Sequence, residues 1–311
     1  MFRLGPWRLA AFAGVMAVLA GVAVVGGYFA REIVVEIAIL ACLVIALDLA
    51  AGFGGMVSLG HGAIMGVGAY GYALAGQQGI APWPAALIGI ALAAGVGGMI
   101  GAISARMQGI YFLMTTLAFG QMLWAATFGA RWLGGDNGLG GIARPGLPFA
   151  DLTDPASFAL YALGVLAAVF LVAAGFLRSP AGRAYQAMHE NPLRAASLGL
   201  SPFRLRLGGF TLSSGLAGVA GVLAAQHMQF ISPAMMVWTT SGEALVVLIL
   251  GGIGTLTGPL LGAAVFVGLK YWAAGWTDHW HLLIGALLIA VVLAGGRGIA
   301  AGIGGARDAA P

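Results

Sequence analysis

The sequence predicts an all-α fold, a polytopic membrane protein with about ten transmembrane helices, some of them short or interrupted. Three observations predict this fold. The first two concern composition, since 60% of the 311 residues are hydrophobic and only 8% are charged, whereas soluble domains carry about 25% charged residues. The third is that apolar runs of roughly twenty residues, the length that crosses a bilayer as a helix, recur along the chain. The 53 glycines suit helices that pack backbone against backbone.

The apolar runs define the predicted spans. The first run follows Arg3 and Arg8, which would also fit a signal peptide. It is longer than the apolar region of a signal peptide and lacks a small-x-small cleavage site, so we expect it to be retained as a helix. The predicted spans are, in chain order, 9–29, 33–51, 57–76, 84–105, 109–130, 157–177, 208–230, 240–254, 257–274 and 281–296.

The third and eighth runs are the least regular. Glycines interrupt the third near its start, and the eighth is short and ends in a glycine-rich turn. Broken segments at membrane depth occur only inside protein or beside a watery cavity. Ser58, His61 and Glu243 lie in or beside these interruptions and are therefore candidate pathway residues. For His61 and Glu243 a position at the membrane interface is an equally open interpretation, and for Asp48 helix capping is favoured.

The basic residues predict the orientation. Cytoplasmic segments of membrane proteins carry an excess of arginine and lysine. If the N-terminus is inside, ten of the fourteen basic residues fall on the cytoplasmic side and four outside, so we expect both termini in the cytoplasm. The four outer residues are Arg31, Arg131, Arg144 and Lys270.

One long polar segment, residues 178–206, separates two apolar runs and holds five of the fourteen basic residues. An arginine at the centre of a bilayer costs about 2.5–3.5 kcal/mol, so this segment is not in lipid. A short helix is predicted at 181–196, which Pro192 must end or kink. Its charged residues are Arg183, Glu190 and Arg194 and its apolar ones Tyr185 and Met188. Docking to a partner is favoured over an ordinary solvated loop.

Several motifs of catalytic or nucleotide-binding proteins are missing or misplaced. The sequence has no Walker A motif, so ATP that drives transport must be bound by another chain. A dinucleotide-like glycine pattern at 66–71 lies within an apolar run and is interpreted as helix packing. Protease, esterase and metal motifs are absent as well, and Cys42 is the single cysteine. We therefore expect no enzyme activity, no cofactor, no metal site and no nucleic-acid partner.

Five pieces of sequence, in order and at suitable separations, carry a resemblance to a known family. They are GFGGMVSLGHGAIMGVGAY, QGIYFLMTTLAFGQM, GGDNGLGGIARP, SPAGRAYQAMHENPLRAASLGLSPFRLR and SGEALVVLILGGIGTLTGPLLGA. The chain resembles the permeases of bacterial ABC importers for branched-chain amino acids, which have the type II importer fold. The GGDNGLGGIARP piece is similar to the LivM-type member of the permease pair.

The resemblance implies a single permease domain, 1–311, in the bacterial inner membrane. It implies a heterodimer with a second homologous permease chain, two cytoplasmic ATPase subunits, a periplasmic substrate-binding protein and surrounding membrane lipid. Segment 178–206 would be the cytoplasmic docking, or coupling, loop. The ATPase-docking residues carried over are Arg183, Tyr185, Met188, Glu190, Asn191, Arg194, Gly199 and Arg204.

The sequence leaves alternatives open for both the substrate and the class of transporter. Branched-chain or other hydrophobic amino acids are the expected substrates, but similar permeases carry urea or other small polar solutes. A secondary transporter or channel driven by an ion gradient is the alternative from a different class. That alternative expects pairs of buried charges, which the sequence does not suggest.

Overall fold

The computed structural model describes residues 6–146 and 151–276, together with single positions at 282, 285, 286, 289, 298 and 299. Within these residues the chain forms eleven α-helices and two short strands. The helices are α1 Pro6–Val25, α2 Tyr28–Ala51, α3 His61–Gln77, α4 Pro82–Ser104, α5 Ile110–Gly129, α6 Pro155–Arg178, α7 Pro180–Glu190, α8 Pro192–Ser197, α9 Pro202–Met228, α10 Trp238–Gly251 and α11 Gly258–Ala274. The strands are β1 Leu139–Gly140 and β2 Phe230–Ile231, and 3-10 turns occupy Arg131–Leu133, Gly135–Asn137 and Pro233–Met236.

The predicted all-α membrane fold is confirmed. Within the described residues five helices, α2, α4, α5, α6 and α9, are long and apolar enough to cross a membrane, judged by length and composition. Shorter apolar helices are Leu9–Val25 within α1, α10 and α11. The predicted span 281–296 lies outside the described residues, apart from single positions.

Helices α3, α4 and α9 pack against one another through glycines. A Cβ atom on Gly68 of α3 would lie 2.7 Å from the backbone of Gly218 in α9, and one on Gly221 would overlap the carbonyl of Met65. A Cβ on Gly89 of α4 would lie 2.5 Å from the Gly68 carbonyl oxygen. These helices therefore meet backbone to backbone, as the glycine content predicts.

Both irregular runs are interrupted helices. Helix α3 starts at His61, four residues later than predicted, because residues 52–60 form a non-helical link after α2. Helix α10 has only 14 residues, and a turn at 252–257 joins it to α11. A Cβ on Gly52 would lie 2.5 Å from the backbone nitrogen of Gly254, so the link and the turn are in contact.

Asp48 fastens these two irregular stretches together. Its carboxylate accepts hydrogen bonds from the backbone N–H of Gly254 at 2.7 Å and of Leu256 at 3.0 Å. Its side chain is fully buried. The interpretation of Asp48 as a helix-capping residue near the interface is therefore wrong: it lies inside the protein, and its carboxylate holds a turn more than two hundred residues away.

Arg144 holds the long connection between α5 and α6 against the end of α9. Its guanidinium donates to the carbonyls of Gln226 at 3.0 Å, His227 at 3.0 Å and Leu152 at 2.9 Å. The guanidinium carbon lies 4.3 Å from the centre of the Phe158 ring. Since the last carbonyls of a helix lack intrahelical donors, a cation there is favourable. Strands β1 and β2 pair antiparallel at the same end.

Candidate docking surface and translocation pathway

The 178–206 segment folds as two helices, α7 and α8, ahead of α9. The Ser179 hydroxyl accepts from the Gly182 N–H at 3.1 Å and caps α7. Asn191 has an extended backbone, and its side-chain oxygen caps α8 by accepting from the Arg194 N–H at 2.9 Å. Proline disfavours helical conformation in the residue before it, so Pro192 ends α7 and begins α8. The predicted helix 181–196 is therefore divided at Asn191.

Tyr185 anchors α7 to the membrane helices of its own chain. Its side chain is fully buried and its hydroxyl donates to the carbonyl of Leu49 in α2 at 3.1 Å. The ring packs edge-on against Phe176 at 5.8 Å between centres. Cβ atoms on Gly54 or Gly209 would overlap the tyrosine, so these two glycines form its socket. Burial raises the pKa of the Tyr185 phenol above its ordinary value.

The Leu49 carbonyl lies in the last turn of α2, where helix carbonyls lack donors. The N–H groups of Gly52 and Phe53 both bond to the carbonyl of Asp48. Tyr185 supplies the donor for Leu49 from another helix. The end of α2, the start of the 52–60 link and α7 are thereby held as one unit.

The other predicted docking residues lie on the outside of this unit. Tyr185 and Met188 are fully buried within the chain, so the apolar face of α7 contacts its own helices. The exposed members of the predicted set are Arg183, Glu190, Asn191, Arg194, Gly199 and Arg204. The structure thus divides the set into an inner pair that anchors α7 and an outer group that faces away from the chain.

Leu193 and Leu198 belong to the same surface, although the sequence analysis did not select them. They are 84% and 75% exposed, and they flank Arg194. Exposed apolar residues next to charges, on a segment too polar for lipid, are typical of a protein-contact surface. The available signal in the sequence was the leucines beside Arg194 in this charged segment. We call Arg183, Glu190, Arg194, Leu193 and Leu198 the docking surface.

Two of the candidate pathway residues are enclosed within the chain. Ser58 is fully buried, and its hydroxyl accepts from the Gly60 N–H at 3.1 Å. His61, also fully buried, places its Nε2 atom 2.7 Å from the hydroxyl of Ser213 in α9. Ser213 donates in turn to the carbonyl of Ala46 in α2 at 2.5 Å. His61 therefore ties the start of α3 to α9 and α2.

The third candidate, Glu243, lies close to the same place. The backbone N–H of Gly62 donates to the hydroxyl of Ser241 at 2.8 Å, which joins the first turns of α3 and α10. His61 precedes Gly62, and Glu243 follows Ser241 by two residues, so the two predicted residues lie in the helix starts that this bond joins. Glu243 is partly exposed, whereas Ser58 and His61 are not.

Helix α5 presents a surface that the sequence analysis did not identify. Among the five long apolar helices of the described residues it is both the least buried and the least apolar. Its exposed stripe contains Tyr111, Met114, Ala118, Met122 and Ala125 at helical spacing. Small residues and methionine suit close contact with another helix better than contact with lipid.

The neighbouring helix α4 shows the contrast. Its exposed residues include Leu87, Ile88, Leu92 and Ile103, which are typical of a lipid-facing surface. The polar residues of the TTLAFGQM piece, which lower the hydropathy of α5, were the signal in the sequence.

Comparison with known proteins identifies the family. The family described as branched-chain amino acid transport system / permease component matches residues 29–292. The chain belongs to this permease family. It is 30% identical to the high-affinity branched-chain amino acid transport system permease protein LivM of Escherichia coli (strain K12), over 79% of this chain and 64% of the relative.

A second relative is named for a different substrate. The chain is 29% identical to the autoinducer 2 import system permease protein LsrC of Klebsiella pneumoniae subsp. pneumoniae, over 67% of this chain and 60% of the relative. The chain thus spans less than two thirds of the length of either relative. Among solved structures, PsaBC from Streptococcus pneumoniae in complex with Fab is 15% identical with a TM-score of 0.40, over 92% of this chain and 93% of that one.

Membership of the permease family confirms the resemblance drawn from the five sequence pieces. The matched range includes the docking surface, the α3 and α10 starts and the exposed stripe of α5. The features described above therefore lie in the part of the chain that the permease family shares.

Proposed function

We propose that this protein is the membrane-embedded permease subunit of a binding-protein-dependent ABC importer in the bacterial inner membrane. Separate ATPase subunits drive it from the cytoplasm, where both termini lie. The observation that carries the proposal is the docking surface. It combines exposed charges and leucines on a helix pair that Tyr185 fixes to the membrane helices.

The anchoring explains how work enters the membrane domain. A docking surface on a flexible loop could move without displacing the membrane helices. Here a displacement of α7 acts on the end of α2 through the Tyr185 hydroxyl, and on the 52–60 link through Gly54. That link joins α2 to α3, so closure of an ATPase pair shifts the end of α2 and the link relative to the unit of α3 and α9, which His61 and the glycine contacts hold together.

The translocation pathway runs, in this proposal, along the exposed stripe of α5 at the contact with the second permease chain. Gly120 of α5 lies beside Gly60, since a Cβ on Gly120 would be 3.5 Å from the Gly60 Cα. Gly120 is buried, so the link that carries Ser58 packs against the face of α5 opposite to the exposed stripe. A movement of the link can therefore displace α5 and change the width of the pathway on its other side.

The substrate class follows from the family. Branched-chain or other hydrophobic amino acids are proposed, because the matched family is described for branched-chain amino acids and LivM carries that substrate in its name. The second candidate is a small polar solute, favoured by the similarity to the autoinducer 2 permease. A binding protein outside the membrane selects the solute, so the pathway itself needs little specificity.

The docking proposal is tested by charge reversal at Glu190. Glu190→Arg leaves the buried anchor intact and places a wrong charge on the docking surface. A lost charge pair in an interface costs about 2–5 kcal/mol, so co-purification of the ATPases and substrate-stimulated ATP hydrolysis should both fall sharply. Asp151→Arg, an exposed charge reversal at the opposite end of α6, is the control and should leave co-purification unchanged. Normal co-purification and uptake by the Glu190 variant would reject docking at this surface.

The substrate proposal is tested separately in proteoliposomes that contain both permeases, the ATPases and the binding protein. Uptake of labelled leucine that competes with isoleucine and valine, but not with autoinducer 2 or urea, supports the amino-acid assignment. Uptake of autoinducer 2 or urea alone supports the second candidate. Uptake without ATPases, driven by an ion gradient, would overturn both.

A further inference from the structure

A polar cavity of about 270 Å³ lies beside the anchor of α7, on the side of the chain that carries the docking surface. It opens between the 52–60 link, the start of α5, the junction of α7 with α8, and α9. The residues that line it are Gly54, Gly55, Met56, Met107, Gln108, Gly109, Phe112, His189, Pro192 and Arg206. Neither aspartate nor glutamate occurs among these lining residues.

Arg206 provides a fixed positive charge in the wall. One guanidinium nitrogen donates to the carbonyl of Ala105 at 3.3 Å, which orients the planar group. An arginine has five N–H donors. Apart from the bond to Ala105, the guanidinium of Arg206 donates no hydrogen bond to the part of the chain that the structure describes. A partly buried guanidinium with spare donors is suited to a planar or tetrahedral oxyanion.

His189 of α7 supplies a second donor to the cavity wall. Its ring lies against Gly55, since a Cβ on Gly55 would overlap the imidazole, and Gly55 has a φ of +68° that disfavours a side chain there. The absence of a side chain at Gly55 lets the imidazole pack directly on the 52–60 link. His189 is also exposed to solvent.

The N-terminus of α5 adds to the positive electrostatic potential of the cavity. Gly109 lies in the wall, and no side chain caps the first turn of this 20-residue helix. The N-terminus of a helix favours a negative group. A cavity of about 270 Å³ has room for a small anion such as phosphate together with water.

We propose that this cavity binds a small oxyanion, a carboxylate or phosphate group, at the cytoplasmic border of the membrane. The bound group bridges Arg206 of α9, His189 of α7 and the 52–60 link. It therefore stiffens the connection that a docked ATPase must move, and its occupancy sets how readily the permease switches. The anion site is independent of which solute the pathway carries.

Binding is measured on the purified full-length chain with inorganic phosphate as the probe, by equilibrium dialysis at constant ionic strength, with chloride as the balancing anion. Wild-type protein should bind phosphate saturably. Arg206→Gln should weaken binding by on the order of tenfold, because charged hydrogen bonds are among the strongest in proteins. Arg178→Gln removes an exposed charge at the end of α6 and should bind like wild type.

His189→Gln guards against misfolding of the Arg206 variant. Because His189 is exposed, its replacement leaves the buried anchor in place, and phosphate binding should still weaken severalfold. Equal binding by wild type, Arg206→Gln and His189→Gln would overturn the proposal. So would a loss in Arg178→Gln as large as in Arg206→Gln, which would indicate general charge attraction.

The source of the anion is distinguished in lipid nanodiscs. If phosphate binds equally in nanodiscs of phosphatidylcholine and of phosphatidylglycerol, the natural ligand is a soluble anion. If wild-type protein binds phosphate in phosphatidylcholine but not in phosphatidylglycerol, the headgroup occupies the site and the ligand is an anionic lipid. In that case the residual phosphate binding of Arg206→Gln should be the same in both lipids. Acetate in place of phosphate tests the carboxylate form, and its failure to bind while phosphate binds restricts the site to phosphate groups.

Discussion

Replacement of Tyr185 by phenylalanine should loosen α7 without removing the ring from its socket. The variant keeps the contacts with Phe176, Gly54 and Gly209 but loses the hydrogen bond to the Leu49 carbonyl. A buried carbonyl left without a donor costs about 1–3 kcal/mol. Local separation of α7 from the membrane helices should therefore become roughly 5- to 150-fold more frequent.

Hydrogen exchange measured by mass spectrometry on the purified chain tests this directly. Peptides from α7 should exchange faster by that factor in Tyr185→Phe, while peptides from α6 should be unchanged. In proteoliposomes with the complete importer, ATP hydrolysis should continue with fewer solutes carried per ATP, because the docking surface is intact and its connection to α2 is weaker.

Tyr28→Phe is the matched control, since Tyr28 is 67% exposed at the other end of α2. It should leave the exchange of α7 and the transport ratio at wild-type values. If Tyr185→Phe also left α7 exchange unchanged, the hydroxyl would not hold the helix and the proposed connection would be refuted. If Tyr185→Phe lost transport without faster exchange in α7, loosening of α7 would not be the cause of the loss.

Three further outcomes are expected. Asp48→Ala leaves the buried Leu256 N–H and the partly buried Gly254 N–H without acceptors and should lower stability by about 1–3 kcal/mol or more. Thermal unfolding in detergent measures this, and an unchanged midpoint contradicts it. Gly68→Val inserts side-chain atoms where two backbones meet and should cost about 1–3 kcal/mol or more, whereas Gly164→Val, with open space around it, should cost little. A cysteine at Ala187 should resist a membrane-impermeant label applied outside cells and one at Asp151 should react, and the reverse pattern rejects the orientation.

The sequence predicts the helices well because each apolar run must become a helix in lipid. It also locates the interruption before α3, where glycines and Ser58 accumulate, and the break at Pro192. These features are local, so the residues that cause them are adjacent in the chain. The docking charges are equally local, because five basic residues in one segment cannot be in lipid.

The sequence does not reveal which partner each face contacts. Tyr185 and Met188 are predicted to form an apolar face, but only the structure shows that the face packs on α2 and α9 of the same chain. His61 is bonded to a residue 152 positions away and Asp48 to residues more than 200 away. Such pairs depend on the arrangement of helices, which periodicity within one helix does not contain.

The glycine contacts among α3, α4 and α9 limit how the molecule can change shape. Side chains between two helices can change rotamer and allow the helices to slide past each other. Where backbones are in direct contact, no side chain can rearrange, so the helices keep their relative position. In the transport cycle proposed above, these three helices therefore move as one unit. Any rearrangement within the chain is confined to parts that pack less closely on this unit, above all α5, which is the least buried long helix among the described residues.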